Sequence, residues 1–414
     1  MTAKTRMPNS GNPSSEPESL FKNRNFLLFM LSRAGSVTGT QILAVAIGWH
    51  VYQMTGEVLY LGLIGLFMFL PVLCLFLVAG FAADRLDRRL IVGVCNCVNF
   101  VAMTAIGFYL MTGSEMVWPI FVLLALNGAA QAFIFPALQA TLPNIVPREV
   151  FAKAVATNSS VTTIGQLGGP AIGGFLIALI DVNVYFVAAV LFLVAAATMF
   201  LVKADLKIAG REPFGISMLL GGFLHIWRTK AVLGAISIDL VAVLFGGVMG
   251  LLPVFAVDIL KVGPEALGVM RAMPAIGALV VAVSLARWGL IWRTGPSFFI
   301  SLAIFGLSIL VLSLSTSFLL SVLALAVYGA SDMVSVYIRQ TLVQIETPNE
   351  LRGRVSAVNS VSINASNQLG DFRAGTMSAM IGTVPAVAVG ACATLGVTLL
   401  WYKLFPQLRE LTKF

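Results

Sequence analysis

Gly80-Phe81-Ala82-Ala83-Asp84-Arg85-Leu86-Asp87-Arg88-Arg89 packs five charges into ten residues between two long apolar runs. Leu59 to Ala79 before it and Leu90 to Met111 after it are each long enough to cross a bilayer as a helix. The stretch therefore reads as a tight, highly charged turn on one face of a membrane, and the rest of the chain can be placed relative to it.

Composition agrees. Of 414 residues, 58% are hydrophobic and only 11% are charged, well below the quarter or so expected of a soluble domain. The net charge of +8 raises the question of nucleic acid. The basic residues, however, fall in short clusters between apolar runs and form no continuous patch or stripe, which speaks against such a partner. Cys74, Cys95, Cys97 and Cys392 all lie inside apolar runs, and Cys95-Asn96-Cys97 has no partner pair at metal-ligand spacing, so they read as small buried side chains. His50 and His225 are isolated in sequence, and no metal or cofactor is expected.

Apolar stretches bounded by charges or turn residues fall at about 26–54, 58–83, 89–112, 116–141, 152–179, 182–202, 231–257, 265–288, 296–315, 318–343, 353–381 and 384–404. The expected fold is all-α and membrane-embedded, with twelve spans in two six-helix bundles. Placing both termini in the cytoplasm puts Arg85, Arg88, Arg89, Arg148, Lys153, Arg228, Lys230, Arg293, Arg352, Arg354 and Lys403 on the cytoplasmic side and leaves Lys261 alone opposite. That asymmetry is what the positive-inside rule demands.

The polar start, 1–20, reads as a disordered cytoplasmic tail, with no apolar core and cleavage site of a signal peptide. A first bundle over 21–202 and a second over 231–405 are separated by a linker at 203–230, and 406–414 forms a C-terminal tail. The linker segment Gly215-Ile-Ser-Met-Leu-Leu-Gly-Gly-Phe-Leu-His-Ile-Trp-Arg228 suits either an amphipathic helix in the membrane interface or a solvated connection. The halves repeat each other. Gln139, Pro147, Glu149, Ala156, Asn158 and Ser159 match Gln340, Pro348, Glu350, Ala357, Asn359 and Ser360 at a constant offset, and Gln166-Leu-Gly168 matches Gln368-Leu-Gly370. Duplication at half the chain length implies paired bundles that rock about a central site.

The order Gly80-x-x-x-Asp84-Arg85-x-x-Arg88-Arg89 resembles the loop between the second and third helices of major facilitator superfamily (MFS) transporters. The resemblance implies a cytoplasmic gate. Asp84 would face the positive N-terminal end of the eleventh helix, near Arg352-Gly353-Arg354, and the arginines would pair with Glu350 or Glu149 when that side closes. The superfamily usually has Gly where this chain has Asp87, and the equivalent in the second half, Ala286-Arg287-Trp288-Gly289, has no acid. The gate is therefore expected to be asymmetric.

In the fifth helix, Gly165-x-x-x-Gly169-Pro170-x-x-Gly173-Gly174 gives a bare face for close helix packing and a bend at the proline. It resembles the superfamily motif associated with antiporters, which favours efflux. The fourth-helix Arg of many drug–proton antiporters is missing, since Leu124 stands where it would precede Asn127-Gly128. Instead, Asn127 to Gln139, Leu252-Pro-Val-Phe255, Gly268 to Gly277 and Thr347 to Ala357 resemble the enterobactin-exporter and macrolide-efflux branch.

Charges inside a bilayer are costly, so each is a functional candidate. Arg33, Asp239, Arg271, Asp332, Asp371 and Arg373 fall within spans. The resemblance places the first, fourth, seventh and tenth helices around a central cavity, which singles out Asp239 and Asp332 as proton-exchanging groups. The rival reading is structural ion pairing, for example of Asp239 with Arg33 or of Asp371 with Arg271 or Arg373. Gln41, Trp49, Asn127, Gln131, Phe135, Phe245, Tyr328 and Tyr337 offer stacking and hydrogen bonding to a solute, or ordinary packing.

No phosphate loop, His-Glu-x-x-His or Gly-x-Ser-x-Gly occurs, so an enzyme is not expected. The reading is an inner-membrane exporter of bacteria, monomeric, working with a small-molecule cargo, a coupling proton and membrane lipid. The cargo class is a siderophore or hydrophobic antibiotic. Uptake symport, phospholipid or lysophospholipid movement between leaflets, and a non-transporting sensor are the alternatives.

Overall fold

A computed structural model describes residues 20–203, 216–290 and 292–412; within these, Leu77, Asp84, Arg148, 216–220, Asn349, Glu350 and Ala357 are described by their backbone alone. The expected tail 1–20, apart from Leu20, and linker residues 204–215 lie outside them.

Lipid offers no hydrogen-bond partners, so the backbone satisfies itself in helices. Six long helices precede the linker: α1 (Arg24–Thr55), α2 (Val58–Arg85), α3 (Arg88–Met111), α4 (Trp118–Ile145), α5 (Phe151–Ile180) and α6 (Val184–Leu201). After it come the short α7 (Ile216–Arg228), then α8 (Lys230–Gly246), the single turn α9 (Leu252–Val254), α10 (Pro264–Trp288), α11 (Thr294–Leu314), α12 (Phe318–Glu346), α13 (Asn349–Ile381), α14 (Thr383–Leu404) and the short α15 (Pro406–Arg409). Among the described residues, nine segments are long and apolar enough to cross a membrane. One of them, Phe151–Leu201, contains both α5 and α6.

Local chemistry sets the ends. Asn23 caps α1 by accepting from Phe26 N–H, and Asp87 caps α3 by accepting from Arg89 N–H. Gly56 ends α1 with φ 64°, a left-handed conformation that suits glycine.

The expected seventh span, 231–257, falls within the apolar segment Lys230–Ile259 but is not one unbroken helix. Its helix stops at Gly246, and the chain continues through a 3-10 turn (Met249–Leu251), α9 and a π-helical turn (Phe255–Ile259). The break has a packing cause: the backbone at Gly247 lies so close to Gly370 that a Cβ there would come 2.6 Å from the Gly370 carbonyl carbon.

Within the first half α1 packs on α5 and α6, α3 on α4 and α6, and α2 on α4. In the second half α10 packs on α12, α11 on α12 and α14, and α8 on α13 and α14. The halves meet along α5–α10 and α2–α13. Their seam sits at the end away from the Gly80–Arg89 turn, hereafter the far end. There Gly62 abuts Gly375, Gly174 abuts Gly268, and Gly48 meets Pro253. The largest buried cluster also crosses the seam there, joining Ile47 and Phe121 to Leu252, Phe255 and Met270. Among the described residues, the side-chain hydrogen bonds that cross between halves are Tyr52 Oη to Asp258 and Arg271 to the Ala44 carbonyl. The molecule is thus sealed at the far end.

Candidate functional site

The charges foreseen inside the spans gather mainly in the second half. Asp239 on α8 is 4% exposed and pairs with Arg339 on α12 at 3.3 Å; Arg339, 2% exposed, also donates to Asn359 Oδ1 on α13 at 2.8 Å. Three helices are thereby tied by one buried guanidinium. The expected partner of Asp239, Arg33, is instead on the other half, where its Nε donates to Thr162 at 3.3 Å. Asp332 lies two turns before Arg339 on α12, within electrostatic reach of both Asp239 and Arg339. Among the described residues Asp332 has no ion pair within 4.0 Å. Beside it, the buried Ser335 Oγ and Arg339 Nε have no protein hydrogen-bond partner. The cluster holds an unmatched carboxylate and unused donors, which is a cost in a purely structural site and an asset in one that handles protons or polar solutes.

Arg339 was absent from the sequence expectations. The i, i+7 spacing from Asp332 is the signal that puts both on one helix face.

A second group lies nearer the far end. Asp371 on α13 accepts from the Gly250 backbone N–H at 3.1 Å, at the break after α8. Arg271 and Arg373 are within electrostatic reach, but neither closes an ion pair with it. Arg373 donates to the carbonyls of Leu244 (3.0 Å) and Phe245 (2.7 Å), and Arg271 to those of Ala44 and Met249. The expected pairing is therefore replaced by contacts to carbonyls, those of Leu244, Phe245 and Met249 where α8 ends and that of Ala44 within α1, with Phe245 also under the Arg373 guanidinium at 5.7 Å.

Asn127 is fully buried and donates to Asn99 at 2.9 Å, holding α4 to α3. Gln131 donates to Thr40 at 3.2 Å. Gln41 lies against Gly169, Phe135 is half exposed, Trp49 packs against the large core, and Tyr328 stacks on Phe305 at 4.5 Å. Tyr337 packs against a core cluster within the second half. His50 is held by Asp181 (3.0 Å), the Ala46 carbonyl (2.9 Å) and Tyr185 (3.2 Å). Among the described residues no group of three or more His, Cys, Asp and Glu could hold a metal.

The glycines of α5 divide their work. Gly165, Gly169 and Gly173 face Val37, Gln41 and Ile42 of α1 in the same half; Gly174 faces Pro264 and Gly268 of α10 in the other. Pro170 lies at the same contact, its carbonyl meeting Gly268. At the turn, Arg88 is buried and donates to the carbonyls of Ala83 (3.1 Å) and Ala140 (2.6 Å). Arg89 pairs with Asp87 at 2.6 Å and donates to the Val202 carbonyl at 3.0 Å. Arg85 is exposed, its guanidinium 4.2 Å from the centroid of the Phe81 ring. These contacts stay within the first half. Gly80 is half-buried on the last turns of α2, while the side chains of Asp84 and Glu350, the other expected gate partners, lie outside the described residues.

A duplicated helical bundle with buried interior charge and a glycine seam between halves is the layout of a secondary transporter. A family model described as "Transmembrane secretion effector" matches residues 16–413. The chain belongs to the transmembrane secretion effector family of MFS transporters. Such a transporter is a multi-pass membrane protein and not an enzyme. This family member is 22% identical over 355 residues to macrolide efflux protein A of Streptococcus pyogenes, covering 83% of this chain and 87% of that one. It is 24% identical over 391 residues to the enterobactin exporter EntS of Citrobacter koseri, covering 93% and 92%. A match to the uncharacterized MFS-type transporter YkuC of Bacillus subtilis, at 30% identity, spans 38% of this chain and 36% of YkuC. Among solved structures, the nucleoside transporter NupG superposes with a TM-score of 0.71 at 14% identity, covering 92% of this chain and 99% of NupG. A bacterial homologue of the lysosomal transporter Spinster, inward-facing, gives 0.71 at 13% identity, covering 96% and 97%. These likenesses establish the MFS fold.

Proposed function

We propose that this protein exports a small amphipathic molecule, a siderophore or hydrophobic antibiotic, by proton-coupled alternating access across the bacterial cytoplasmic membrane, with both termini inside. The observation that carries the reading is the far-end seam, where the glycine–proline face of α5 meets α10 backbone to backbone through Gly174 and Gly268. At Gly174 and Gly268 the contact is backbone against backbone, with no side chain to deform gradually, which suits a joint that is either closed or parted. The similarity over most of the chain to proteins named as macrolide and enterobactin exporters supports the direction.

In the proton cycle, Asp332 is the exchanging group. It is unmatched beside the Asp239–Arg339 pair, so a proton or a cationic group of the cargo neutralises it without breaking that pair. No nucleotide-binding element is needed: one charge moving through 100 mV supplies about 2.3 kcal/mol, enough to hold a solute gradient of more than tenfold. The turn at Gly80–Arg89 closes the cytoplasmic side when the far end parts, with Asp84 and Arg85 engaging α13.

The test is cargo accumulation in cells with and without the protein, across a panel of siderophores and macrolides. Lower accumulation of at least one solute in expressing cells is expected. Higher accumulation of a solute in expressing cells, reproduced as gradient-driven uptake in right-side-out vesicles, would establish symport instead.

A further inference from the structure

We propose that a cleft at the junction of α7 and α8 with α14 and α15 binds the headgroup of an anionic phospholipid. The cleft encloses about 470 Å³ and is lined by Lys230, Trp227, Leu233, Leu404 and Phe405, among others. It lies at the same end as the Gly80–Arg89 turn, since α12 ends and α13 begins there and α7 packs on α13. A site at a helix-end level, part cationic and part aromatic, matches the membrane–water boundary.

Charge complementarity selects the occupant. Lys230 is exposed and, among the described residues, has no carboxylate within 4.0 Å. Arg228 precedes it by two residues, and Lys403 lies just before Leu404. Lys230 opens the 17-residue α8, whose preceding residue Thr229 provides no side-chain cap, so the positive end of the helix faces the same region. The apolar walls suit an acyl chain: Trp227 and Leu404 are 62% and 59% exposed, and Phe223 stacks on Trp227 at 6.0 Å. A free phosphate would use the lysine alone; a phospholipid uses both halves of the cleft.

The walls are fixed in advance. Phe405 stacks on Trp401 at 6.2 Å and fits over Gly234, where an added Cβ would come 2.7 Å from its ring. The chain beyond α15 is pinned by hydrogen bonds from Thr294 and Gly295 N–H to the carbonyls of Thr412 and Leu411, both 3.0 Å. On the other side, His225 bonds the Glu346 carbonyl at 3.3 Å, and Gly222 seats α7 against the backbone of Arg354. The bound lipid would therefore join the linker helix to the C-terminal helices of the second half.

The experiment is native mass spectrometry of the full-length protein in detergent, titrated with phosphatidylglycerol, phosphatidylcholine or inorganic phosphate. Wild type should retain phosphatidylglycerol in preference to phosphatidylcholine. Lys230→Gln should lower the bound-to-free ratio for phosphatidylglycerol about fivefold, the worth of one basic residue at an anionic surface. Trp227→Ala should lower retention of both lipids, and Lys261→Gln, at the far end, neither. Equal retention of the two lipids, an unchanged ratio in Lys230→Gln, or displacement of phosphatidylglycerol by millimolar phosphate would overturn the proposal.

Discussion

Replacing Gly174 by alanine should shift the protein away from the far-end-closed state. A Cβ at 174 would lie 2.7 Å from Gly268 Cα and 2.8 Å from its nitrogen, and nearer still to the Pro264 carbonyl oxygen. These are backbone atoms, so relief requires α10 to move away from α5 by several tenths of an ångström. Overpacking of this kind costs about 1–3 kcal/mol, and it acts only where the seam is closed. The alanine's helix-propensity gain applies to both states and cancels from their ratio. The parted-to-closed ratio should therefore rise about 5- to 150-fold. Spin labels at Glu115 and Ser317, both exposed on far-end loops, report the separation through pulsed dipolar spectroscopy. Gly268→Ala should act in the same direction. Gly168→Ala is the control, because its Cβ would meet only Ile172 Cδ1 at 3.8 Å. A distance distribution for Gly174→Ala that matches Gly168→Ala would refute the role assigned to the seam.

Further consequences follow from the polar contacts. Arg339→Gln should destabilise the second half by about 3–5 kcal/mol by stranding Asp239, and the double variant Asp239→Asn/Arg339→Gln should recover much of that loss, read by thermal unfolding in detergent. Tyr52→Phe removes the hydrogen bond to Asp258 across the seam and should raise the parted fraction between the same spin labels, by the equivalent of about 1.5–3 kcal/mol. Asp87→Ala removes the cap of α3 and the partner of Arg89, and should cost about 1 kcal/mol in the same unfolding assay.

The helices were legible because lipid enforces long apolar runs. Each expected stretch overlaps a helix and most ends agree within a few residues, but the seventh, 231–257, runs eleven residues past the end of α8. The break after Gly246 was not legible: Leu-Phe-Gly-Gly-Val-Met-Gly-Leu-Leu-Pro is apolar throughout, and its interruption comes from the approach of Gly370, which is distant in sequence. The close-packing role of the α5 glycines could be read from their spacing, but not the division by which three serve α1 and Gly174 serves α10. Interior carboxylates stood out as isolated charges in apolar text, whereas their partners did not. Asp239 and Arg339 are a hundred residues apart, and only the packing of α8, α12 and α13 shows that Arg339, not Arg33, neutralises Asp239. Asp87, which departs from the superfamily's glycine, is explained locally: it both caps α3 and binds Arg89.

The central claim, proton-coupled export through Asp332, is tested most directly by proton movement in inverted vesicles, followed with a pH-sensitive dye. A siderophore and macrolide panel is added to wild type and to Asp332→Asn. The account predicts solute-dependent proton release in wild type that is lost in Asp332→Asn. Release undiminished in Asp332→Asn would contradict it and move the exchanging group to Asp239 or Asp371.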